Sequence, residues 1–217
     1  MKRTSLCLAI LISLLLPAAL AHADEPVLAE DYIVDVGDGR YVFVMLVGES
    51  PVVTEIGAKY QESGLYEAGE TENPLWTVEW YATEVDITPD GKHLVRWGPW
   101  PSIDGYDELA LEFYESGDLL RSYRVSDLVA NPQKLPRTVS HLAWKAESSF
   151  DAGNGELYLR TEHDEEYRFD VTTGEIMEER GPINVPFCPM IGGIVVLGPV
   201  GGLLFRKRSK ASSLPEH

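Results

Sequence analysis

The sequence predicts an all-β domain, an antiparallel meander of short sheets, flanked by an N-terminal signal helix and one C-terminal transmembrane helix. In the 217-residue chain, 44% of the residues are hydrophobic and 10% aromatic, which is ordinary for a folded globular protein. Short β-branched and aromatic runs alternate with Gly and Asp turns in the middle of the chain. No long stretch there repeats its apolar residues at helical spacing. The longest apolar runs lie near the two ends.

The N-terminal segment has the order of a secretory signal peptide. Lys2 and Arg3 precede an apolar run over residues 6–20, and Ala21-His22-Ala23 supplies small residues at a cleavage position. We therefore expect residues 1–23 to be removed on export and residues 24–31 to form a linker. An uncleaved membrane anchor is the alternative.

Residues 32–180 are predicted to form the β domain outside the cytoplasm. Turn sequences such as Asp38-Gly39 and Asp90-Gly91 separate the strand-like runs and favour hairpins. A helical turn is expected at Ser126–Val129, with Ser126 as its cap. The predicted strands are Tyr32–Val36, Arg40–Val47, Trp76–Tyr81, His93–Trp97, Glu108–Tyr114, Leu119–Val125, Val139–Lys145, Glu156–Arg160 and Glu166–Val171.

A weak internal repeat runs through this region. Asp38–Phe43 matches Asp90–Val95 in residue type at a spacing of 52 residues, and Leu65–Glu70 matches Phe113–Asp118 at a spacing of 48. Two matches near one spacing predict a duplicated unit of about 50 residues, the size of a four-stranded blade or a similar meander. Chance recurrence of common turn sequences is the alternative.

Two segments, Thr88–Val95 and Phe169–Ile176, resemble strand-turn-strand segments of β-propeller repeat proteins. The resemblance implies blades of antiparallel strands and a binding scaffold. About 150 residues at roughly 40 to 50 per blade give three or four blades, barely enough for a closed ring. We therefore expect blade-like sheets packed face to face, as a partial propeller or a sandwich.

A second apolar segment lies near the C-terminus. Residues 185–205 carry no charge over 21 positions, and Arg206-Lys207-Arg208 follows at once. That length fits one membrane crossing, and the basic cluster predicts a cytoplasmic end. We assign residues 181–186 to a linker, 187–205 to a transmembrane helix and 206–217 to a cytoplasmic basic tail.

The same tail resembles the tripartite C-terminal sorting segments of bacterial envelope proteins. Phe187-Cys188-Pro189, a Gly-rich apolar stretch and a basic cluster carry the resemblance. It implies cleavage by a membrane protease and anchoring at the surface, with Cys188 as the anchoring or processing residue. Residues 211–217 depart from the pattern because they extend beyond the basic cluster. The alternatives are that Cys188 is lipidated, that it pairs with a cysteine of another chain, or that it is simply a small apolar residue at the membrane interface.

The charge excludes one class of partner. Between residues 24 and 184 the chain has 34 acidic and 12 basic residues, a net charge of −22. Nucleic acid would be repelled by such a domain. The charge fits a cationic partner, bound divalent cations, or simply a solvated acidic surface.

The candidate ligand-binding residues are four tryptophans: Trp76, Trp80, Trp97 and Trp100. An exposed row of such rings would be a platform for sugars or extended peptides, whereas a buried row would be core. No short catalytic or metal-binding motif is present, and no cofactor or metal site is predicted. If Val139–Lys145 is a strand, Ser140 and His141 point to opposite faces and cannot pair.

These observations favour a membrane-anchored, extracytoplasmic β module that binds a partner or has a structural role in the cell envelope. The expected partners are the membrane, through one span, and an envelope protein or glycan. The alternatives are an envelope enzyme that uses carboxylates near the tryptophans and a calcium-stabilised surface protein. The oligomeric state is left open.

Overall fold

The computed structural model describes residues 28–48 and 53–181. The predicted signal peptide, the transmembrane segment, the basic tail and Cys188 lie outside the described residues. Within the described ranges, no helix is long and apolar enough to cross a membrane.

The described chain is mostly β structure, arranged as three antiparallel four-stranded sheets. In each sheet the strands lie side by side in the order in which they occur along the chain, as in a meander. The first sheet comprises β1 (Tyr32–Val36), β2 (Tyr41–Met45), β3 (Gly64–Glu67) and β4 (Trp76–Thr77). The second comprises β5 (Val85–Ile87), β6 (His93–Trp97), β7 (Leu109–Glu115) and β8 (Asp118–Arg124). The third comprises β9 (Lys145–Asp151), β10 (Glu156–Thr161), β11 (Glu166–Asp170) and β12 (Glu175–Arg180).

Three short helical elements connect or flank the strands. Helix α1 (Glu55–Lys59) is capped by Thr54, whose hydroxyl accepts a hydrogen bond from the Gly57 N–H. Helix α2 (Val125–Leu128) follows β8, and a 3-10 turn spans Pro132–Lys134. The expected Ser126 cap is wrong, because the Asp127 carboxylate accepts the N–H of Arg124 at the start of α2.

The two sequence matches fall at equivalent places in successive sheets. Asp38-Gly39 joins β1 to β2, as Asp90-Gly91 joins β5 to β6. Leu65–Glu70 begins on β3, and Phe113–Asp118 begins on β7, the third strand of the next sheet. The third sheet repeats the strand order without a sequence match of this kind.

The second sheet lies between the other two and contributes to a core on each side. On one side, Leu94 and Tyr114 pack with Phe43 and Leu65 of the first sheet. On the other side, a cluster of 16 buried residues joins second-sheet residues such as Phe113 to the third sheet and to the segment containing α2. Alternation along β6 and β7 produces both cores, since adjacent residues of a strand point to opposite faces.

The outward faces of the two end sheets are covered in different ways. On the first sheet, Val44 and Tyr66 are buried with Tyr60, which follows α1. On the third sheet, cross-strand pairing aligns Glu147, Arg160, Glu166 and Arg180 in a row across all four strands. Arg160 contacts Glu147 at 3.1 Å and Arg180 contacts Glu166 at 3.9 Å. One end of the array is therefore closed by an apolar cluster and the other by alternating charges.

Two predicted strands differ from the structure by more than two residues at an end. The Trp76–Tyr81 run is a strand only over Trp76–Thr77, because the chain then leaves the first sheet and places Trp80 against Tyr114 of the second. The Val139–Lys145 run is a turn, and β9 begins only at Lys145. The Thr138 hydroxyl accepts the N–H groups of Ser140 and His141, which a strand would need for its ladder.

Candidate functional site

The structure does not bring the four candidate tryptophans together on one surface. The Trp76 indole packs on Phe43, with ring centroids 5.6 Å apart, and its N–H donates to the Gly91 carbonyl at 2.9 Å. Trp97 is only 4% exposed. Trp100 is 41% exposed and stacks on the His141 ring at 4.1 Å. Trp80 is half-buried and lines a groove, so it is the candidate whose ring borders a concave surface.

Trp97 takes part in a polar cluster between the second and third sheets. Its indole N–H donates to the Asp86 carboxylate at 2.9 Å, and the Lys145 Nζ lies 3.8 Å from its ring centroid. Lys145 also contacts Glu84 at 3.4 Å. Burial, with a smaller contribution from Glu84, raises the pKa of the Asp86 carboxyl, and the Trp97 hydrogen bond and Lys145 offset this rise only in part.

Replacing Asp86 with asparagine is expected to raise the Tm of the full-length chain at pH 7. Because the pKa of Asp86 is higher in the folded than in the unfolded state, folding favours its protonated form. Stability linked to this group is therefore fully present below the unfolded pKa and is lost as pH rises through the folded one. An asparagine carbonyl still accepts the Trp97 N–H without the charge. Thermal melts at pH 7 and near pH 3 measure the difference, which is expected to shrink at low pH.

Asp35→Asn is the control, since Asp35 is an exposed carboxylate on β1. A gain for Asp86→Asn that persists at pH 3, or one matched by Asp35→Asn, contradicts the assignment.

The turn beside Trp100 corrects the expectation for Ser140 and His141. The Ser140 hydroxyl lies 3.3 Å from Nδ1 of His141, and the Thr138 hydroxyl lies 2.8 Å from the same nitrogen. They are within hydrogen-bond reach because this segment is a turn, not a strand. Thr138 also binds the backbone of the turn, so the immediate effect of the arrangement is to fix the His141 ring against Trp100.

Trp80 rests on a charged cluster of the second sheet. The Arg96 guanidinium carbon lies 4.5 Å from the Trp80 ring centroid, and the Tyr114 ring lies 5.1 Å from it. Arg96 contacts Glu112 at 2.8 Å and donates to the Tyr81 carbonyl at 3.3 Å. The Tyr114 hydroxyl donates to Glu112 at 2.7 Å, and burial together with this carboxylate raises the pKa of Tyr114 to about 12. The cluster fixes the position of the indole.

The charged pair beneath Trp80 is largely shielded from water. The side chain of Arg96 is 19% exposed and that of Glu112 is 13% exposed. In the part of the chain that the structure describes, Nε of Arg96 is the buried side-chain nitrogen without a hydrogen-bond partner. A cation placed in this way interacts favourably with the aromatic face above it.

A groove of about 510 Å³ opens beside Trp80, and we call it the Trp80 groove. The ends of β2, β3 and β4 form it, where the chain leaves the first sheet. Tyr81 stands beside Trp80 and is tied to Glu30 by two hydrogen bonds of 3.1 Å. The lining residues are Leu46, Val47, Gly48, Gln61, Glu62, Ser63, Thr77, Val78, Glu79, Trp80 and Tyr81.

The partly buried carboxylates nearest the tryptophans lie on opposite faces of the second sheet. Glu112 is paired across the strands with Arg96, whereas Asp86 is paired with Val95. Residues 95 and 96 point to opposite faces. Asp86 and Glu112 therefore cannot act on one glycosidic bond, as a two-carboxylate hydrolase mechanism requires.

In the acidic turns, carboxylates accept hydrogen bonds from groups of the protein itself. Glu165 is 4% exposed, and it accepts hydrogen bonds from the Thr161 hydroxyl and from the Ala130 N–H. Asp151 accepts from the N–H groups of Gly153 and Asn154, and hydrogen bonds with Asn154 lower its pKa. In residues 28–48 and 53–181, no group of three or more His, Cys, Asp or Glu side chains is placed to hold a metal ion.

Sequence reasoning found Trp80 but missed the residues that position it. Arg96 and Glu112 lie 16 positions apart, and only the β6–β7 register brings them together. The available signal was a charged residue between apolar neighbours in each of two predicted strands, since opposite charges on paired strands stabilise a sheet.

Comparison with known proteins identifies no family. No protein-family model matches the chain, and no curated protein matches it. Among solved structures, the chain is similar to one titled "KlHsv2 with loop 6CD replaced by a Gly-Ser linker", at 11% identity and a TM-score of 0.29. The match covers 68% of this chain and 50% of that chain. A similarity at this TM-score carries no argument about fold or function.

Proposed function

We propose that this chain is an exported, membrane-tethered β module that binds a partner outside the cytoplasm. The observation that carries the binding role is the Trp80 groove, in which an aromatic ring is held in place by a shielded ion pair and borders open space. Binding sites are concave and combine aromatic surface with a few polar groups, as this groove does.

Export and tethering are inferred from the two ends of the sequence. Lys2 and Arg3, the apolar run over residues 6–20 and Ala21-His22-Ala23 support cleavage after residue 23. The uncharged residues 185–205, followed by the basic cluster, support a single span with its tail in the cytoplasm. The likeness to sorting segments at Phe187-Cys188-Pro189 suggests further processing there.

We further propose that the three sheets are blades of a partial propeller, not the layers of a sandwich. The same strand order in each sheet, and the core on each face of the second sheet, support this interpretation. Repeat arrays need end units with covered or polar outer faces. The cluster around Tyr60 and Tyr66 supplies one such end, and the row that includes Glu147 and Arg160 supplies the other.

The test is the intact mass of the full-length chain recovered from membrane and culture fractions of cells that produce it. We expect the membrane fraction to hold a chain that begins at Asp24 and retains the basic tail. A Leu15→Arg variant places a charge in the apolar run and is expected to keep residues 1–23.

Loss of the tail, or an added mass that disappears in Cys188→Ala, would also support export and would assign a sorting step at Cys188. A wild-type chain that begins at Met1 in the soluble cytoplasmic fraction would overturn the proposal.

A further inference from the structure

The two faces of the Trp80 indole have different surroundings. Arg96 and Tyr114 both contact the ring, and both project from one face of the second sheet, since Arg96 is paired with Glu112 and Tyr114 with Leu94. One side of the Trp80 ring therefore packs on the second sheet. Trp80 also lines the groove, so the part of its ring that the second sheet leaves uncovered is the part available to a ligand.

The walls of the groove provide groups that bind hydroxyls. Gln61 contributes an amide, Thr77 a hydroxyl, and Glu62 and Glu79 exposed carboxylates. Among the described residues that line the groove, none is Lys or Arg. Hydrogen-bond donors and acceptors thus lie beside the flat apolar surface of the Trp80 ring, in a space large enough for a small ligand.

The charges around the ring discriminate between ligand classes. Glu62 and Glu79 would repel an acidic ligand such as a polyuronate, because like charges across an interface are costly. Glu62 and Glu79 would attract a cationic side chain, but that cation would meet a ring whose other face is already occupied by the Arg96 guanidinium, and the two cations would repel each other. A neutral ring with C–H groups on one face and hydroxyls at its rim avoids both conflicts.

We propose that the Trp80 groove binds neutral sugar residues of an oligosaccharide, with one sugar ring stacked on the indole of Trp80 and its hydroxyls bonded to Gln61, Glu62 and Glu79. The inference rests on the proposed function and names the class of ligand that the module takes. On this proposal, the partner of the β module is a neutral glycan.

The experiment measures binding to the full-length chain, purified in mild detergent, by titration calorimetry. The probes are three neutral hexasaccharides, which are the oligomers of glucose in β-1,4 and α-1,4 linkage and of N-acetylglucosamine. Oligogalacturonate and oligolysine of similar length serve as charged comparisons. We expect at least one neutral probe to bind and both charged probes to bind at least tenfold more weakly.

Substitutions locate the binding. Trp80→Ala is expected to weaken binding of the neutral probe at least tenfold, and Trp80→Phe, which keeps an aromatic face, is expected to restore part of it. Trp100→Ala removes an exposed tryptophan that does not line the groove and is expected to change nothing. Circular dichroism of each variant monitors folding.

Three results would overturn the inference: no neutral probe binds, oligolysine binds more tightly than every neutral probe, or Trp80→Ala folds and binds like the wild type. The intact-mass experiment fails or succeeds independently of this one. If the chain is processed and tethered but binds no sugar, only the proposed ligand class is refuted. If the chain binds sugar but is never exported, only the proposed export and tethering are refuted.

Discussion

Replacing Arg96 with methionine is expected to lower the free energy of unfolding by about 3 kcal/mol, because removal of one partner leaves a mostly buried carboxylate uncompensated. In the native chain, Glu112 contacts Arg96 at 2.8 Å and is 13% exposed. After the substitution, the Tyr114 hydroxyl remains as a donor to Glu112. Trp80 also loses the cation beneath its ring. Urea denaturation of the full-length chain, followed by circular dichroism, measures the change.

Arg168→Met is the matched control for this prediction. Arg168 and Glu156 are also strand residues, but their charged atoms are 3.9 Å apart and their side chains are 55% and 39% exposed. An exposed pair of this kind contributes roughly 0 to 1 kcal/mol. If Arg96→Met costs no more than Arg168→Met, the ion pair does not stabilise the fold in the way proposed here.

The double variant Arg96→Met, Glu112→Leu separates loss of the pair from loss of the fold. Replacing both charges with apolar side chains removes the stranded carboxylate, and such replacements of buried pairs are often neutral. We expect the double variant to recover most of the stability that the single variant loses. It should not recover oligosaccharide binding fully, because Trp80 then rests on a side chain without a charge.

Much of the fold could be predicted from the sequence where strands alternate and turns are marked. His93–Trp97 was predicted with its exact bounds, because the Asp90-Gly91 turn precedes a run of Leu, Val and Trp. The antiparallel hairpins and the near-50-residue unit followed from the same turns. Prediction of an all-β architecture is confirmed by the three sheets.

The predicted strands omit Gly64–Glu67, whose apolar run is only Leu65 and Tyr66, and two further segments that are short or mostly charged. Val85–Ile87 has three residues with Asp86 at its centre, and Glu175–Arg180 is mostly charged. Their strand conformation depends on pairing with β6 and β11, which no local pattern encodes. The strand predicted at Val139–Lys145 lies instead at Lys145–Asp151, because hydrogen bonds to the Thr138 hydroxyl hold the preceding residues in a turn.

The candidate site was predictable only in part. A concentration of tryptophans directed attention to the right region, but sequence order says nothing about which indole faces solvent. Trp97 lies in the core because it shares a sheet face with Val95, and Trp80 borders the groove because the chain leaves the first sheet after Thr77. The charged support beneath Trp80 depends on strand register, a property of the folded chain.

Gly174→Ala is expected to lower the free energy of unfolding by about 2 to 4 kcal/mol, because it combines an unfavourable backbone conformation with an inter-sheet clash. Gly174 lies in the β11–β12 turn at a φ of +70°. A Cβ there would lie 2.8 Å from the Arg121 Cβ and 3.0 Å from the Phe113 Cβ, both on the second sheet. The Tyr123 hydroxyl also donates to the Gly174 carbonyl at 2.8 Å, so the turn cannot easily move away.

Gly69→Ala isolates the contribution of sheet packing. Gly69 follows β3 in the first sheet, as Gly174 follows β11 in the third, and its φ is +91°. A Cβ on Gly69 would have no atom within 4 Å. Urea denaturation of both variants should therefore show a cost of about 1 kcal/mol for Gly69→Ala, from backbone strain alone. Equal costs at the two positions would mean that the third sheet does not pack on the second as closely as an array of blades requires, and the partial-propeller proposal would fail with them.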